Sequence, residues 1–362
     1  FGEPRMKALK IALKTILIAL GVLFVVVAAY LAYVIFSYSR IEDNLVLEPK
    51  EKTTEIASSD KTYAIVTQNI GFGAYTPSFT FFMDGGKQSR AESRESVVSC
   101  VEKAALTVKA QNPVFVFFQE VDTNSDRSYH VDQREILDKS FTGYSSVFAQ
   151  NYHSAYLFYP LYQPHGKSNS GIYTYSKYKT NGAVRRSLPI STGFGKFLDL
   201  DRCYSVTRVP LSNGKELVLY NVHLSAYGGS DEIREGQLGM LLNDMKSEYE
   251  KGNYCVCGGD FNHDFTGDST QKLNGVESNS FGWAQPLPAD ILDAHDISRA
   301  INYDELVPTC RNCDVPYKKG NFTVIVDGFL YSQNVEVMSV KNVDTEFSYS
   351  DHNPVVMSFR LK

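Results

Sequence analysis

The sequence predicts a mixed α/β (α+β) domain over residues 61–362, preceded by a single N-terminal transmembrane helix. Three observations carry this. Ile16 to Phe36 is an unbroken run of apolar and small residues. From Thr62 onward, short apolar segments of strand length are interspersed with stretches of helical periodicity. The apolar segments also end in amide or ionisable side chains, as strands do when a site gathers beyond their ends.

The N-terminal run is long enough to cross a hydrocarbon core of about 30 Å at about 1.5 Å per residue. No charge falls between Lys14 and Arg40. A cleaved secretory signal is the alternative, with Ser37-Tyr38-Ser39 as a weak cleavage site, but the apolar region of a signal is normally shorter. Arg5, Lys7, Lys10 and Lys14 precede the run, which places the N-terminus in the cytoplasm and the bulk of the chain outside a cell membrane. The expected organisation is a cytoplasmic segment (1–14), a single-pass helix (15–37), a juxtamembrane linker (38–60) and one catalytic domain (61–362).

Within that domain, Tyr63–Ile70 reads as a strand. Glu92–Gln111 has Val97, Val101, Leu106 and Val108 near helical spacing and stops at Asn112-Pro113. Val114–Gln119 is continuously apolar, as expected of a strand buried on both faces. Glu216–Leu224, Tyr254–Gly258, Phe322–Tyr331 and Pro354–Arg360 are further strands, with an amphipathic helix over Asp231–Glu250. The net charge of −5 gives no support to a nucleic-acid partner. Cys310-x-x-Cys313 has no second Cys or His pair that would complete a zinc framework, and a local disulfide there stays open.

The chemistry sits at the strand ends. Asn69 closes the first strand and Glu120 the second. His223 lies near the end of the third, and Asp260 follows the fourth within Gly258-Gly259-Asp260-Phe261-Asn262. Asp327 interrupts the fifth, and Asp351-His352 precedes the last. A charge within or beside a buried strand is costly unless paired or metal-bound, so six such positions point to one convergent site.

This ordered set resembles the endonuclease/exonuclease/phosphatase superfamily. The resemblance covers residues 61–362, and Gly-Asp-Phe-Asn with Ser-Asp-His is its most specific part. It implies a four-layer sandwich of two mixed β-sheets flanked by helices, and Mg²⁺- or Mn²⁺-dependent cleavage of phosphate esters. By the same resemblance, Glu120, Asn69 and Asp351 hold the metal, and Asp260 activates water with Asn262 beside it. His223 and His352 stabilise phosphate charge, with Asp327 orienting His352. Hard oxygen ligands suit Mg²⁺ or Mn²⁺ on independent grounds. One departure is Gly71, where many nuclease members carry an acidic residue; the loop over Cys310–Tyr317 is another.

Substrate choice rests on less. Aromatic residues crowd Tyr144–Tyr162, either as core packing or as an apolar wall beside the pocket, and Tyr152, Lys167 and Asn169 are the candidate substrate contacts. Lys177, Lys179, Arg185 and Arg186 form a short basic stretch able to approach phosphates. The leading expectation is a membrane-anchored phosphodiesterase acting on a phospholipid, similar to neutral sphingomyelinases. An extracytoplasmic nuclease is the alternative, and a catalytically inactive binding module the third; no protein partner is inferred.

Overall fold

The structure, a computed structural model, describes residues 3–193, 195–199, 201–226, 230–275 and 283–362. The chain divides into two compact units, Phe1–Arg40 and Ile41–Lys362. The first is one helix, α1 (Glu3–Ser37), whose Pro4–Ser37 portion contains an 18-residue window with a mean hydropathy of 2.7 and is long and apolar enough to cross a membrane. The basic stretch before the apolar run continues the helix and so extends it beyond residues 15–37.

In chain order the second unit begins with strands β1 (Leu45–Leu47) and β2 (Thr62–Asn69), helix α2 (Arg94–Lys109), strand β3 (Phe115–Asp122) and helix α3 (Gln133–Ser140). Strands β4 (Ser145–His153), β5 (Asn169–Ser176) and β6 (Gly182–Ser187) follow, then α4 (Lys196–Asp199), β7 (Cys203–Pro210) and β8 (Glu216–His223). Next come α5 (Asp231–Glu250), β9 (Tyr254–Asp260), α6 (Ser269–Asn274), α7 (Ala289–Ala294) and β10 (Ile297–Ala300). The chain ends with β11 (Cys310–Arg311), β12 (Thr323–Val324), β13 (Asp327–Ser332), β14 (Val335–Asn342) and β15 (Val355–Leu361).

Two large mixed sheets result, ordered β1-β6-β7-β8-β9-β13-β10 and β14-β15-β2-β3-β5-β4. Ile65, Phe117 and Met357 of one pack against Leu219, Val256 and Phe329 of the other, which forms the central layer of core. Val97, Val101 and Val108 of α2 cover the outer face of the second sheet, while Leu238, Leu241 and Met245 of α5 cover that of the first. The order helix, sheet, sheet, helix is the expected four-layer arrangement. Each sheet holds one parallel pair, β2/β3 joined through α2 and β8/β9 joined through α5. Parallel pairs need such crossovers, and both pairs deliver their carboxyl ends to one place.

Two sequence expectations change, and the open question of a disulfide closes. The strand expected over Phe322–Tyr331 is broken, because Thr309 Oγ1 takes the amides of both Val326 and Asp327 (2.9 and 3.0 Å) away from a ladder. All six cysteines, including Cys310 and Cys313, are buried free thiols. The linker expected over 38–60 is largely built into the domain. Leu45–Leu47 pairs with β6, Ala57 is buried, and the fully buried Arg185 reaches the Glu42 carbonyl at 3.3 Å. Ser187 holds Ile41 and Asp43 in addition. These partners lie more than 140 residues away in sequence, so a polar segment that reads as solvated is in fact docked.

Candidate active site

Strand register assembles half of the site. His223 stands opposite Asp260 across β8/β9, and Asp260 opposite Asp327 across β9/β13, so three titratable side chains form one row. Gly259 makes this possible. Its φ is +151°, and a Cβ there would meet the Val222 carbonyl oxygen at 1.9 Å. Asn262 follows in the left-handed region (φ 50°), with its amide N–H on Asp260 Oδ1 at 2.9 Å and its side chain on the Leu224 carbonyl.

The other sheet supplies Asn69 and Glu120. Glu120 has φ 55°, and the β3/β5 register shifts between Phe118 and Val121. Such a bulge re-aims a side chain, and a non-glycine residue held in this region costs of order 1–3 kcal/mol. Asn69 joins the two sheets, donating from Nδ2 to Glu120 Oε1 (3.2 Å) and Asp260 Oδ2 (3.0 Å). Its Oδ1, the atom a metal would need, accepts from the Gly71 amide. Behind it, Gln119 donates to Asn221 across the same seam at 2.8 Å.

Ser350 Oγ donates to the Asn69 carbonyl and accepts from the His352 amide, which fixes the last motif against β2. His352 Nδ1 lies 2.8 Å from Asp327 Oδ2, and its Nε2 lies 3.8 Å from Asp260 Oδ2 and 4.0 Å from Asp351 Oδ2. His223 Nε2 lies 3.4 Å from Asp260 Oδ2 and 4.0 Å from Glu120 Oε1. Gly71 sits beside Asp351 with φ +53°. A Cβ there would meet the Tyr75 ring at 2.5 Å and Asp351 Oδ1 at 2.6 Å, so Asp351 fills the space that an acidic side chain at position 71 would need. The loop after Cys310 packs behind the same carboxylate, through the Arg311 amide on the Asp351 carbonyl and the Cys313 thiol 3.9 Å from Asp351 Oδ2.

Electrostatics split the two histidines. Burial pushes the His223 pKa down, and Arg202, His352 and Arg127 push it further, so His223 is neutral at pH 7. Burial also opposes charge on His352, but Asp327, Cys310, Asp351 and Asp260 outweigh it and hold its pKa well above the ordinary imidazole value. Asp260 is raised by burial against the opposing pull of His352, and Asp351 is raised by burial and by the Glu120 carboxylate.

Two donor sets could hold a cation. Donor atoms of Asp260, Asp327 and His352 lie within 4.8 Å of one another. That cluster already contains the imidazolium of His352, bonded to Asp327 through Nδ1. The Glu120 and Asp351 carboxylates instead repel each other, which a divalent ion between them would relieve. Their hard oxygen donors fit Mg²⁺ or Mn²⁺, and we favour this set.

All eight expected catalytic and metal-binding positions thus converge. Tyr152, Lys167 and Asn169 lie at the base of the β4–β5 loop. Asn169 Nδ2 is committed to the Asn124 carbonyl, the Lys167 amide to Asp126, and the Tyr152 ring lies 5.7 Å from Arg127. The two arginines of the basic stretch are occupied within the fold, while Lys177 and Lys179 are exposed. Arg185 is buried, Arg186 pairs with Asp43 and Asp244, and Lys177 lies 5.3 Å from the Tyr144 ring. Two cations near the site were not singled out in the sequence, Arg127 and Arg202. Arg127 is held by both oxygens of Asp122 (2.8 and 3.0 Å), stacks 3.9 Å from the Phe72 ring, and senses Glu120. Asp122, two residues after Glu120 in a buried strand, is the signal that could have found it.

A family model described as "Endonuclease/Exonuclease/phosphatase family" matches residues 66–352. The chain belongs to this family. As a member of the endonuclease/exonuclease/phosphatase family it is a phosphoester hydrolase, and family members are generally dependent on divalent metal. Solved structures share the fold at low identity. An endonuclease/exonuclease/phosphatase from Beutenbergia cavernae aligns with a TM-score of 0.57 at 18% identity, over 83% of this chain and 72% of that one. The human Nocturnin catalytic domain aligns at 0.51 and 17%, over 87% and 98%. ANGEL2, a 2',3'-cyclic phosphatase, aligns at 0.54 and 14%, over 89% and 99%. No curated protein matches.

Proposed function

We propose that this family member is a membrane-anchored, Mg²⁺-dependent phosphodiesterase acting on a phospholipid headgroup of the sphingomyelin type, on the extracytoplasmic face of the cell membrane. The observation that carries the catalytic part is Asp260. Its Oδ2 lies 3.4 Å from His223 Nε2 and 3.8 Å from His352 Nε2, beside the Glu120–Asp351 pair. Glu120 and Asp351, with Asn69, would hold the Mg²⁺, which when bound neutralises phosphate charge. Asp260 takes the proton of the attacking water, with the Asn262 side chain beside it. His352 donates to the phosphate through Nε2, because Asp327 fixes Nδ1 and keeps the ring charged. His223 offers a neutral N–H to a second oxygen, and Arg127 and Arg202 add positive field.

The membrane part rests on α1 and on the four basic residues that precede its apolar run. Lipid is favoured because Arg185 and Arg186 are engaged in internal contacts, which leaves only Lys177 and Lys179 of the basic stretch exposed to a nucleic acid. A nuclease is the second reading, favoured by ANGEL2, whose structure holds adenosine-2',3'-vanadate. The test is hydrolysis by the full chain in detergent, with Mg²⁺ and with EDTA. The panel comprises sphingomyelin, phosphatidylinositol phosphates, single- and double-stranded DNA, a 2',3'-cyclic nucleotide and a generic phosphodiester. Mg²⁺-dependent release of a lipid headgroup is expected. Cleavage confined to DNA or the nucleotide transfers the assignment to the nuclease.

A further inference from the structure

The loop between β4 and β5 has a role that the catalytic residues leave unexplained. Ser154 to Pro164 contains no charged residue. Within it Phe158, Tyr159, Leu161 and Tyr162 are 50, 70, 83 and 71% exposed. Four large apolar side chains in five positions form a contiguous patch rather than scattered surface residues. The tip is fastened from behind. Leu157 pairs with Gly166, the Tyr162 hydroxyl donates to the Lys87 carbonyl, and Arg90 binds the Pro164 carbonyl at 2.5 Å. The Ser89 amide donates to Gln163 Oε1 at 2.9 Å, and Phe82 meets the Tyr159 ring at 5.8 Å. The neutral His165 fills the space beneath, its pKa lowered to about 3 by burial and by Arg127. Such a fastened loop holds its apolar side chains outward at little further cost in conformational entropy.

Its position supplies the partner. Register pairs His153 with Asn169 and Asp122 with Ser170, so the loop leaves the sheet at the end where Glu120 stands. At the loop's base, His153 Nδ1 lies 2.6 Å from Asp201 Oδ2, while Asp201 Oδ1 accepts the Ile41 amide at 2.9 Å. One buried carboxylate therefore holds both the base of the apolar loop and the first residue of the domain. Only residues 38–40 separate that residue from the end of α1. Aromatic and aliphatic side chains beside exposed lysines, here Lys87 and Lys167, suit a bilayer's interfacial zone.

We infer that Phe158, Tyr159, Leu161 and Tyr162 dock into the surface of the bilayer that carries α1 and present the catalytic end of the domain to lipid headgroups. This rests on the membrane and lipid readings above. The experiment reconstitutes the full chain, in a Trp283→Phe background, into phosphatidylcholine vesicles with bromines at a shallow acyl position. Tyr159→Trp and, separately, Leu161→Trp report on the loop. Met338→Trp, exposed on β14 at the opposite edge of the sheet from β4, is the control. Because the side chains would sit about 5–10 Å into the interface, bromine should reduce loop-Trp emission about twofold and leave the control unchanged. Loop emission that matches the control overturns the inference, whether the patch then meets water or another protein. The lipid panel reads separately: lipid hydrolysis with an unquenched loop removes only the docking, and quenching without lipid hydrolysis removes only the substrate assignment.

Discussion

The sheet that carries Asn69 and Glu120 and the sheet that carries His223, Asp260 and Asp327 reach one point by different backbone means. On the first, Glu120 leaves the ladder through a left-handed residue and a register shift, and its carboxylate is a quarter exposed. On the second, three side chains stand in a regular row and are almost completely buried. The strained, part-open carboxylate suits an ion that arrives from solution. The buried row suits proton handling, where burial and neighbouring charge set each group apart. The comparison teaches that the part-open carboxylate and the buried row come from separate sheets, with Asn69 as the bridge and His352 reaching the row from the start of β15.

That division can be broken most forcefully at Asp260 in the row and at His352, which reaches it from the start of β15. Asp260→Ala and His352→Ala should each lower kcat by ~10³-fold, the scale of a lost catalytic base or charge-stabilising donor. If both act on one transition state, the double variant should be scarcely slower than the worse single variant in steady-state assays. Multiplicative losses would separate the two residues.

A smaller effect sharpens the role of Asp327. It is the strongest of the carboxylates that hold His352 charged against burial. Asp327→Asn should lower kcat/KM roughly tenfold or more at neutral pH and move the alkaline limb of its pH profile to lower pH, since the imidazolium is lost sooner. The sign for stability follows from the same pair. The folded pKa of His352 lies above its unfolded value of about 6.5, so the stabilisation is complete below that pH and disappears as pH rises through the folded value. An unchanged alkaline limb would remove His352 from the titration.

The row was legible in the sequence because its residues break apolar strands. A polar side chain at Asp260 or His223 stands out against neighbours such as Val222 and Val256. Glycines at 258 and 259 also announce a close approach. The docking of residues 41–57 was not legible, since Arg185, Ser187 and Asp201 lie more than 140 residues along the chain from their partners and local polarity resembles that of a linker. Arg127 was hidden for a similar reason, as a cation is unremarkable until its partner is found buried. Thr309 broke an expected strand through a hydroxyl that no periodicity registers. Aromatic crowding over 144–162 was visible, but only the structure separates packed rings such as Tyr144 and Phe148 from the exposed tip.

The most direct test of the division between the sheets is calorimetric Mg²⁺ titration of the full chain beside Glu120→Gln and Asp327→Asn. Removing the Glu120 charge should weaken Mg²⁺ binding by roughly tenfold or more with the fold intact by circular dichroism, while Asp327→Asn should bind nearly as tightly as the parent chain. The reverse pattern, with affinity retained in Glu120→Gln and lost in Asp327→Asn, would place the cation in the buried row and contradict the account.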